Sequence, residues 1–226
     1  MSLVLLGGSV SPFVRKVRVM LAEKGLEYGH EQVNPFAPPA GWRDLSPLGK
    51  IPALRDGDRV INDSSVICAY LERRYPQPAL YPSDAYEYAR ALWFEEYMDG
   101  GFVPVAGPRV FFTLVLKPLF GRKSEADPTD VAAASKVVEE DLPLFWDYLE
   151  RELGDSEFYV GNRLTVADIA VASPHVNLRH AGVAPARKRW PRLRAFLDRM
   201  HGRPSFKKVI EEETPIFGKR SAQISD

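Results

Sequence analysis

The chain has 226 residues, enough for one large domain or two modest ones, and its apolar fraction of 45% is typical of globular proteins. This composition excludes collagen-like, mucin-like and acidic-tail proteins. The 30 lysines and arginines balance the 30 aspartates and glutamates, so no net field attracts nucleic acid, anionic membranes or acidic substrates. Partner recognition must therefore depend on local features.

Cysteine and histidine usage narrows the class of protein further. The single cysteine, Cys68, excludes an internal disulfide and indicates a reducing compartment. No apolar run reaches the roughly 18 residues of a membrane helix, and no basic signal-peptide region precedes residues 3–6. The four histidines form no i, i+4 pair of the metal-binding kind. We therefore expect a cytoplasmic protein with no metal and no membrane partner.

The chain begins with a pattern that predicts a strand followed by a helix. Residues 3–6 are apolar and end at two glycines, after which Ser11 is an N-cap residue before Pro12 at the first helical position. The spacing predicts a helix over 12–24. Its apolar positions are expected to face the core, and these are Phe13, Val17, Met20 and Leu21. Its basic positions are expected to face away from the core, and these are Arg15, Lys16 and Arg18.

The following segments predict the rest of a mixed sheet. A second strand is expected over 27–33, followed by a proline-rich loop with one helical turn near Trp42. An Asp-Gly-Asp turn at 56–58 lies between two short apolar runs and predicts a hairpin. A helix is expected over 64–74. The order β-α-β-β-β-α over the first 76 residues predicts a sheet that is covered by helices.

From residue 85 onwards the apolar period stays near 3.6, which predicts helices throughout. Residues 77–84 continue a proline-rich stretch and are predicted to be a linker between a first domain over 1–76 and a helical domain over 85–226. Thr165 and Asp168 have the spacing of a capping box at a helix start. Residues 102–121 contain three prolines and fit a helix poorly.

Four motifs together resemble those of cytosolic glutathione S-transferases, in the family's order. The resemblance covers about residues 1–82 and 130–210. It implies an α/β plus all-α fold, in which a thioredoxin-like N-terminal domain (βαβ-ββα) precedes a helical domain that lines the electrophile site. The motifs are SPFVRKVR (11–18), SPLGKIPAL (46–54), INDSSVI (61–67) and GNRLTVADIA (161–170).

The resemblance implies that glutathione is the co-substrate and that Ser11 activates its thiol, as in serine-type members with a tau- or zeta-like motif. Lowering a thiol pKa of about 8.5 by two units takes roughly 2.7 kcal/mol. A helix N-terminus contributes up to about 2 kcal/mol and a hydrogen bond to a charged group about 1.5–3 kcal/mol, so no general base is required. Ser9 is the alternative thiolate partner.

The remaining glutathione contacts are also carried over from the family. Ile51 and Pro52 resemble its cis-proline turn, whose preceding residue pairs with the cysteinyl backbone of glutathione. Asp63 and Ser64 open a helix, where the family binds the γ-glutamyl carboxylate. Two basic residues could meet the glycyl carboxylate, Lys50 and, as a possible substitute for a lysine that tau-like relatives have, Arg43.

The electrophile is expected against the helical domain. Aromatic side chains that could line its site are Phe13, Tyr97, Phe102, Phe111 and Phe112. Ordinary core or dimer packing explains each of them equally well. The basic run over 187–208 is interpreted as the solvated face of a helix, so we expect no nucleic-acid partner.

The sequence therefore predicts a homodimeric glutathione transferase that conjugates glutathione to small hydrophobic electrophiles in detoxification. The first alternative is a glutathione-dependent isomerase of the zeta kind, although the Ser-Ser-Cys signature of that class is absent. The second is a non-catalytic protein-binding module that resembles stringent starvation protein A. The physiological electrophile, the subclass and a peroxidase activity are left open by the sequence.

Overall fold

The first part of the chain forms the predicted thioredoxin-like unit in the computed structural model, which describes residues 3–217. Its four strands have the order β2-β1-β3-β4, with β1 parallel to β2 and antiparallel to β3, and β3 antiparallel to β4. The elements are β1 (Leu3–Leu6), α1 (Pro12–Glu23), β2 (Tyr28–Glu31), α2 (Trp42–Leu45), β3 (Ala53–Asp56), β4 (Arg59–Asn62) and α3 (Ser64–Arg74).

Strand β1 is central, which explains why it is a continuous apolar run. Leu5 packs in the main core with α1 and α3, whereas Leu6 points to the other face and packs with Trp42 of α2. A central strand that is covered on both faces has no reason to alternate between apolar and polar residues. The predicted hairpin between β3 and β4 is also present, with Gly57 at φ 60° in its turn.

The second part of the chain is helical, as predicted. The helix over 166–180 is its centre, because every residue in it except Arg179 is buried and it packs against α1 and the long helix over 85–120. The elements are α4 (Ala85–Phe120), α5 (128–153), α6 (Val166–His180), α7 (Pro191–Gly202) and α8 (Pro204–Phe217).

Residues 102–121 were expected to fit a helix poorly, yet α4 continues through them to Phe120. Two stretches of α4 are π-helical, Tyr97–Phe102 and Gly107–Leu116. The hydrogen bonding of α4 changes between α- and π-type at residues 103, 107 and 117. Each of the three prolines, at 104, 108 and 118, is the second residue of the stretch that begins there. At such a change of register one backbone N–H loses its regular partner, so a residue without an N–H costs little there.

Among the described residues, α4 is the one helix that is long and apolar enough to cross a membrane by length and composition, with a mean hydropathy of 1.3 in its most apolar window. This is weak evidence for insertion, because core helices pass the same test. Met98, Phe102 and Val110 on α4 are fully buried in the main core with residues of α6. We therefore interpret α4 as a core helix.

The prediction that the basic residues of α1 face away from the core is wrong. Arg15, Lys16 and Arg18 are 0%, 1% and 5% exposed. The reason is that α1 shares the core of the sheet and α3 on one side and packs on α6 and α8 with the other, so residues 14–21 are buried all round. Carboxylates of the helical part pair with the three cations: Glu213 with Arg15, Glu95 and Asp99 with Lys16, and Glu212 with Arg18.

The capping box at the start of α6 is present. The Asp168 carboxylate accepts the backbone N–H of Thr165 at 2.8 Å and that of Tyr159 at 2.8 Å, and it also accepts the Thr165 hydroxyl at 3.1 Å. Both reciprocal contacts of the box are formed. Asp168 thus fastens the preceding loop to the helix as well as capping it.

The segment over 77–84 packs closely against the first part of the chain. Leu80 and Tyr81 are buried, and the Lys24 ammonium donates to the carbonyl of Pro78 at 2.8 Å. The proposed boundaries at 76 and 85 stay a prediction, and the last nine residues of the predicted 85–226 domain lie outside the described residues.

Candidate functional site

Ser11 is the N-cap of α1. Its backbone is extended (φ −71°, ψ 129°), and its hydroxyl oxygen accepts the N–H of Val14 at 3.4 Å. Pro12 follows at the first helical position, where its fixed φ favours the helix. The half-buried hydroxyl therefore lies at the positive end of α1, and it keeps its own proton as a donor.

Ser9, the alternative, has a different environment. Its hydroxyl oxygen accepts the side-chain amide of Gln32 at 2.6 Å, and its backbone N–H donates to the amide oxygen of Gln32 at 3.1 Å. These two bonds fasten Ser9 to the end of β2, two residues before the cap of α1. Only Ser11 of the two lies at the helix start.

Gly7 brings this loop against the predicted proline turn. It has φ 157°, and a Cβ at this position would lie 2.5 Å from a Val14 methyl and 3.4 Å from the Cβ of Ile51. A side chain would therefore clash with Val14 of α1, whereas residues 51–52 lie at ordinary contact distance, so glycine lets the turn before Ser11 pack between the two. The Ile51–Pro52 peptide bond is cis, as the resemblance implies, and a second cis bond, Gln77–Pro78, was not anticipated.

The N-terminus of α3 carries the other predicted contacts. Asp63 has φ 74°, and its carboxylate accepts the N–H groups of Ser65 at 2.9 Å and of Val66 at 3.4 Å. The carboxylate is thus engaged as a helix cap. Ser64 is 2% exposed. The hydroxyl of Ser65, which sequence reasoning did not single out, contacts the Lys16 ammonium at 2.9 Å.

Lys16 is the hub of a buried polar group behind α3. Its ammonium lies 2.6 Å from Asp99 and 3.2 Å from Glu95, both on α4. Burial lowers the pKa of Lys16, but the charges of Glu95 and Asp99 outweigh it, so the net pKa is raised and the side chain is a cation. No local pattern could reveal this cluster, because Lys16 is 79 and 83 residues from Glu95 and Asp99 and 49 from Ser65.

Two basic side chains lie near the proline turn, on the side of residues 47–50. Lys50 is exposed, and Arg43 donates to the carbonyl of Pro47 at 3.1 Å. The Arg43 guanidinium lies 3.3 Å from where a Cβ on Gly49 would be. Both cations therefore border the turn that leads into the cis peptide.

The aromatic residues predicted for the electrophile site separate into two places. Phe111 and Phe112 belong to an apolar cluster that includes Val10, the residue before Ser11. Phe102, in contrast, is fully buried, with its ring 4.8 Å from that of His175. Tyr97 packs 4.5 Å from the ring of Tyr148. Phe102 is therefore a core residue and is not available to a ligand.

Sequence reasoning missed two aromatic residues on the side of Phe112. Phe36, in the proline-rich loop after β2, has its ring 5.9 Å from that of Phe112 and 5.4 Å from that of Phe120. Phe36 and Phe120 are both more than half exposed. The sequence signal that could have identified Phe36 is an aromatic residue in the proline-rich segment 35–39. Phe13 is half-buried, two residues after Ser11.

Comparisons with known proteins agree with this architecture. Residues 10–74 match the model of the glutathione S-transferase N-terminal domain, and residues 115–213 match that of the C-terminal domain. Glutathione S-transferase 3 of Zea mays is 30% identical over 222 residues, which cover 91% of this chain and 92% of the maize protein. The chain belongs to the glutathione S-transferase family. Its enzyme class is accordingly that of a glutathione transferase.

Two further relatives bear on ligand and function. A glutathione S-transferase of Methylobacterium radiotolerans, solved with glutathione sulfonate, is 28% identical with a TM-score of 0.72, and the match covers 93% of this chain and 95% of that one. A stringent starvation protein A homolog of Histophilus somni is 25% identical over 206 residues, which cover 91% of this chain and 89% of the homolog. This chain is thus similar both to a transferase solved with a glutathione derivative and to a protein named for stringent starvation.

Two other groups in this transferase have no part in the site. Cys68 is fully buried, and burial raises the pKa of its thiol far above the usual value, so it is not a nucleophile. The arginines of the 187–208 run are largely paired, for example Arg187 with Asp198, Arg189 with Asp147 and Arg199 with Glu157. This pairing is what a solvated helix face would have.

Proposed function

We propose that this chain is a serine-type glutathione transferase in which Ser11 holds glutathione as a thiolate. The observation that supports this proposal most directly is the position of the Ser11 hydroxyl at the N-terminus of α1. The turn before Ser11 packs against the cis Ile51–Pro52 bond. A thiolate at this point would receive the hydroxyl proton as a hydrogen bond and the helix dipole as a favourable field. The thiol proton leaves to solvent, and the sulfur lone pair forms a C–S bond with the electrophile. In a substitution the leaving group departs with the electron pair of its bond, and in an addition the electron pair of the double bond takes a proton from solvent.

Glutathione would lie from the proline turn to the start of α3. The backbone of Ile51 would pair with its cysteinyl part. Ser64 would bind the γ-glutamyl carboxylate at the N-terminus of α3 through its hydroxyl and its own N–H, because the Asp63 carboxylate already accepts the N–H groups of Ser65 and Val66. Lys50, with Arg43 beside it, would meet the glycyl carboxylate. Asp63 contributes by capping α3 in the observed orientation, since its carboxylate is already occupied.

The electrophile would lie against the cluster that contains Val10 and Phe112. Phe36 and Phe120 extend this surface toward solvent, and Phe13 lies beside the thiolate position. The surface is apolar and aromatic, which favours a small hydrophobic electrophile such as an aryl or unsaturated compound. Tyr97 packs against Tyr148 in the helical part and is not assigned to this surface.

The cytoplasm, a reducing compartment, is the proposed location, since a thiol co-substrate and a single buried cysteine both suit it. Isomerisation and a non-catalytic role like that of stringent starvation protein A are the competing functions. Retention on immobilised glutathione with elution by free glutathione separates the non-catalytic alternative from the two enzymatic ones.

The decisive experiment compares Ser11→Ala with Ser9→Ala. Titration of the ultraviolet thiolate band of bound glutathione should show an apparent pKa raised by about 1–2 units in Ser11→Ala, the loss of one hydrogen bond to a charged group. Ser9→Ala should match the wild type. If Ser9→Ala raises the apparent pKa and Ser11→Ala does not, Ser9 is the residue that stabilises the thiolate.

A further inference from the structure

A buried polar cluster lies directly beneath the residue that precedes Ser11. The carbonyl oxygen of Val10 accepts the side-chain amide of Asn177 at 2.9 Å, and the Arg15 guanidinium lies 3.5 Å from the same oxygen. Asn177 is on α6 and 5% exposed, so a side chain of the helical part holds the loop of the first part.

The Asn177 amide has one possible orientation. Its oxygen accepts Nη1 of Arg15 at 2.6 Å, which leaves the NH₂ group to face Val10. Arg15 is itself fixed, because Nε and Nη2 form a two-pronged pair with the Glu213 carboxylate at 2.9 and 2.6 Å, and Nη1 also donates to the carbonyl of Ser173 at 2.7 Å. Glu213, on α8, thereby orients Asn177 through Arg15.

The cluster places little net charge near the proposed thiolate position. Burial would raise the pKa of Glu213, but the Arg15 charge and the His180 ring, 3.2 Å from the carboxylate, hold that pKa below its usual value. A carboxylate thus neutralises the Arg15 cation at contact distance, and any effect on Ser11 must come from geometry.

We infer that Asn177, oriented by Arg15 and Glu213, is a positioning residue for Ser11, an inference that rests on the proposed thiolate role of that serine. The Val10 carbonyl belongs to the peptide plane that also holds the backbone nitrogen of Ser11. That plane sets the positions of N and Cα of Ser11. The next peptide is held by the Arg15 N–H, which donates to the Ser11 carbonyl at 2.9 Å, so the two planes together fix φ of Ser11 and the place of its hydroxyl. Misplacement of a reacting group by 1 Å can cost about 100-fold in rate, so this restraint matters.

The test uses Asn177→Ala and Asn177→Asp, with Ser173→Ala as the matched control. Ser173 is equally buried on α6, and its hydroxyl bonds the Ile169 carbonyl rather than Arg15. The Asp variant has the size of asparagine and keeps an acceptor for Arg15, but its carboxylate lacks the donor for Val10 and adds a charge. It therefore removes the positioning bond without opening a cavity. The Ala variant lacks the same donor without a charge, so a change in thiol pKa that both variants share reports the lost bond and not the added charge.

Both Asn177 variants should raise the pKa of bound glutathione by about half a unit to one unit and lower conjugation at neutral pH about tenfold. Glutathione affinity by calorimetry should stay within about twofold of wild type, because the carboxylate contacts are untouched. Ser173→Ala should leave all three quantities unchanged.

Four results would overturn the inference. A thiol pKa in folded Asn177 variants that equals that of Ser173→Ala excludes positioning, as does a loss of rate that only follows a loss of glutathione affinity. A wild type without a thiolate band, or a Ser11→Ala variant with an unchanged thiol pKa, overturns the proposed function and this inference together.

Discussion

Two serines at helix starts, Ser11 and Ser64, have different tasks in the proposed site. Ser11 caps α1 with its own hydroxyl, whereas α3 is capped by the Asp63 carboxylate, and Ser64 is the first residue inside that helix. Because Asp63 already satisfies the N–H groups of Ser65 and Val66, the Ser64 hydroxyl is not needed as a cap. The hydroxyl is thus free of that task, and although Ser64 is 2% exposed, we propose it as the contact for a ligand carboxylate at this helix start.

We expect Ser64→Ala to weaken glutathione binding by about 1–3 kcal/mol, the value of a hydrogen bond to a charged group. The pKa of the bound thiol should stay at the wild-type value, because the Ser11 end of the ligand is unchanged. Calorimetry measures the first quantity and thiolate absorbance the second. Full-strength binding by the variant would exclude Ser64 from the site, and Ser9→Ala serves as a control substitution in the same unit.

At the scale of elements, the start of α6 depends on a single carboxylate. Asp168 is fully buried and accepts donors from Thr165 and Tyr159, so it satisfies N–H groups that no water could reach. Burial raises the pKa of Asp168 to about 6, and the hydrogen bonds oppose that shift only in part. The cap is thus structurally necessary and electrostatically costly at neutral pH.

The pH dependence of Asp168 follows from the raised pKa. Between its unfolded value near 4 and its folded value near 6, the native carboxyl binds the proton more tightly than the unfolded one, so its contribution to stability falls as pH rises. We expect wild type to gain about 2–3 kcal/mol relative to Asp168→Asn between pH 7 and pH 4. Urea unfolding at both pH values measures this. A difference that is independent of pH would contradict the raised pKa.

The same variant tests whether the role of Asp168 is structural or catalytic. Asp168→Asn should retain the wild-type affinity for glutathione when folded, since the residue is remote from Ser11 along the buried side of α6. Loss of turnover at unchanged stability would place Asp168 in the active site instead.

At the scale of the whole molecule, buried ion pairs join the sheet unit to the helices. Lys16 contacts Glu95, which is 1% exposed and also accepts the Tyr81 hydroxyl at 2.9 Å. Removing one partner of such a pair leaves an uncompensated buried charge, whereas replacing both is often neutral. The two parts of the chain are therefore expected to unfold together.

Lys16→Met should lower the free energy of unfolding by about 3–5 kcal/mol because Glu95 loses its counter-ion. The double variant with Glu95→Gln should recover much of that loss. Lys136→Met, in an exposed pair with Glu140, is the control and should change stability by less than about 0.5 kcal/mol. Urea unfolding that shows no recovery in the double variant would mean that Lys16 acts mainly through Asp99 or Ser65.

The oligomeric state is the remaining property of the whole molecule. Exposed apolar side chains occur on two helices that follow one another in the chain, Val66 on α3 and Tyr86 and Trp93 on α4. A neutral chain has little charge repulsion to prevent a two-fold dimer through such a surface. Sedimentation at micromolar concentration should give twice the chain mass of 25.4 kDa. Tyr86→Lys with Trp93→Lys should yield the monomer, and a monomeric wild type would exclude the homodimer.

Local signals in the sequence determined the strands, the hairpin, the start of α1 and the capping box at Thr165–Asp168. Each of these depends on backbone conformation and hydrogen bonds within a few residues, which the residue types themselves dictate. The cis Ile51–Pro52 bond came from the resemblance, because an isolated proline favours trans.

Only the tertiary structure decided which charges are buried and which aromatic residues share a surface. Arg15 and Glu213 are 198 residues apart, so the apolar period of α1 gave no sign that its basic face would be covered. Phe102 and Phe112 lie on the same helix, yet the ring of Phe102 packs in the core against His175 and that of Phe112 packs toward Phe36. Burial depends on what packs against an element, and that partner is absent from any local window of sequence.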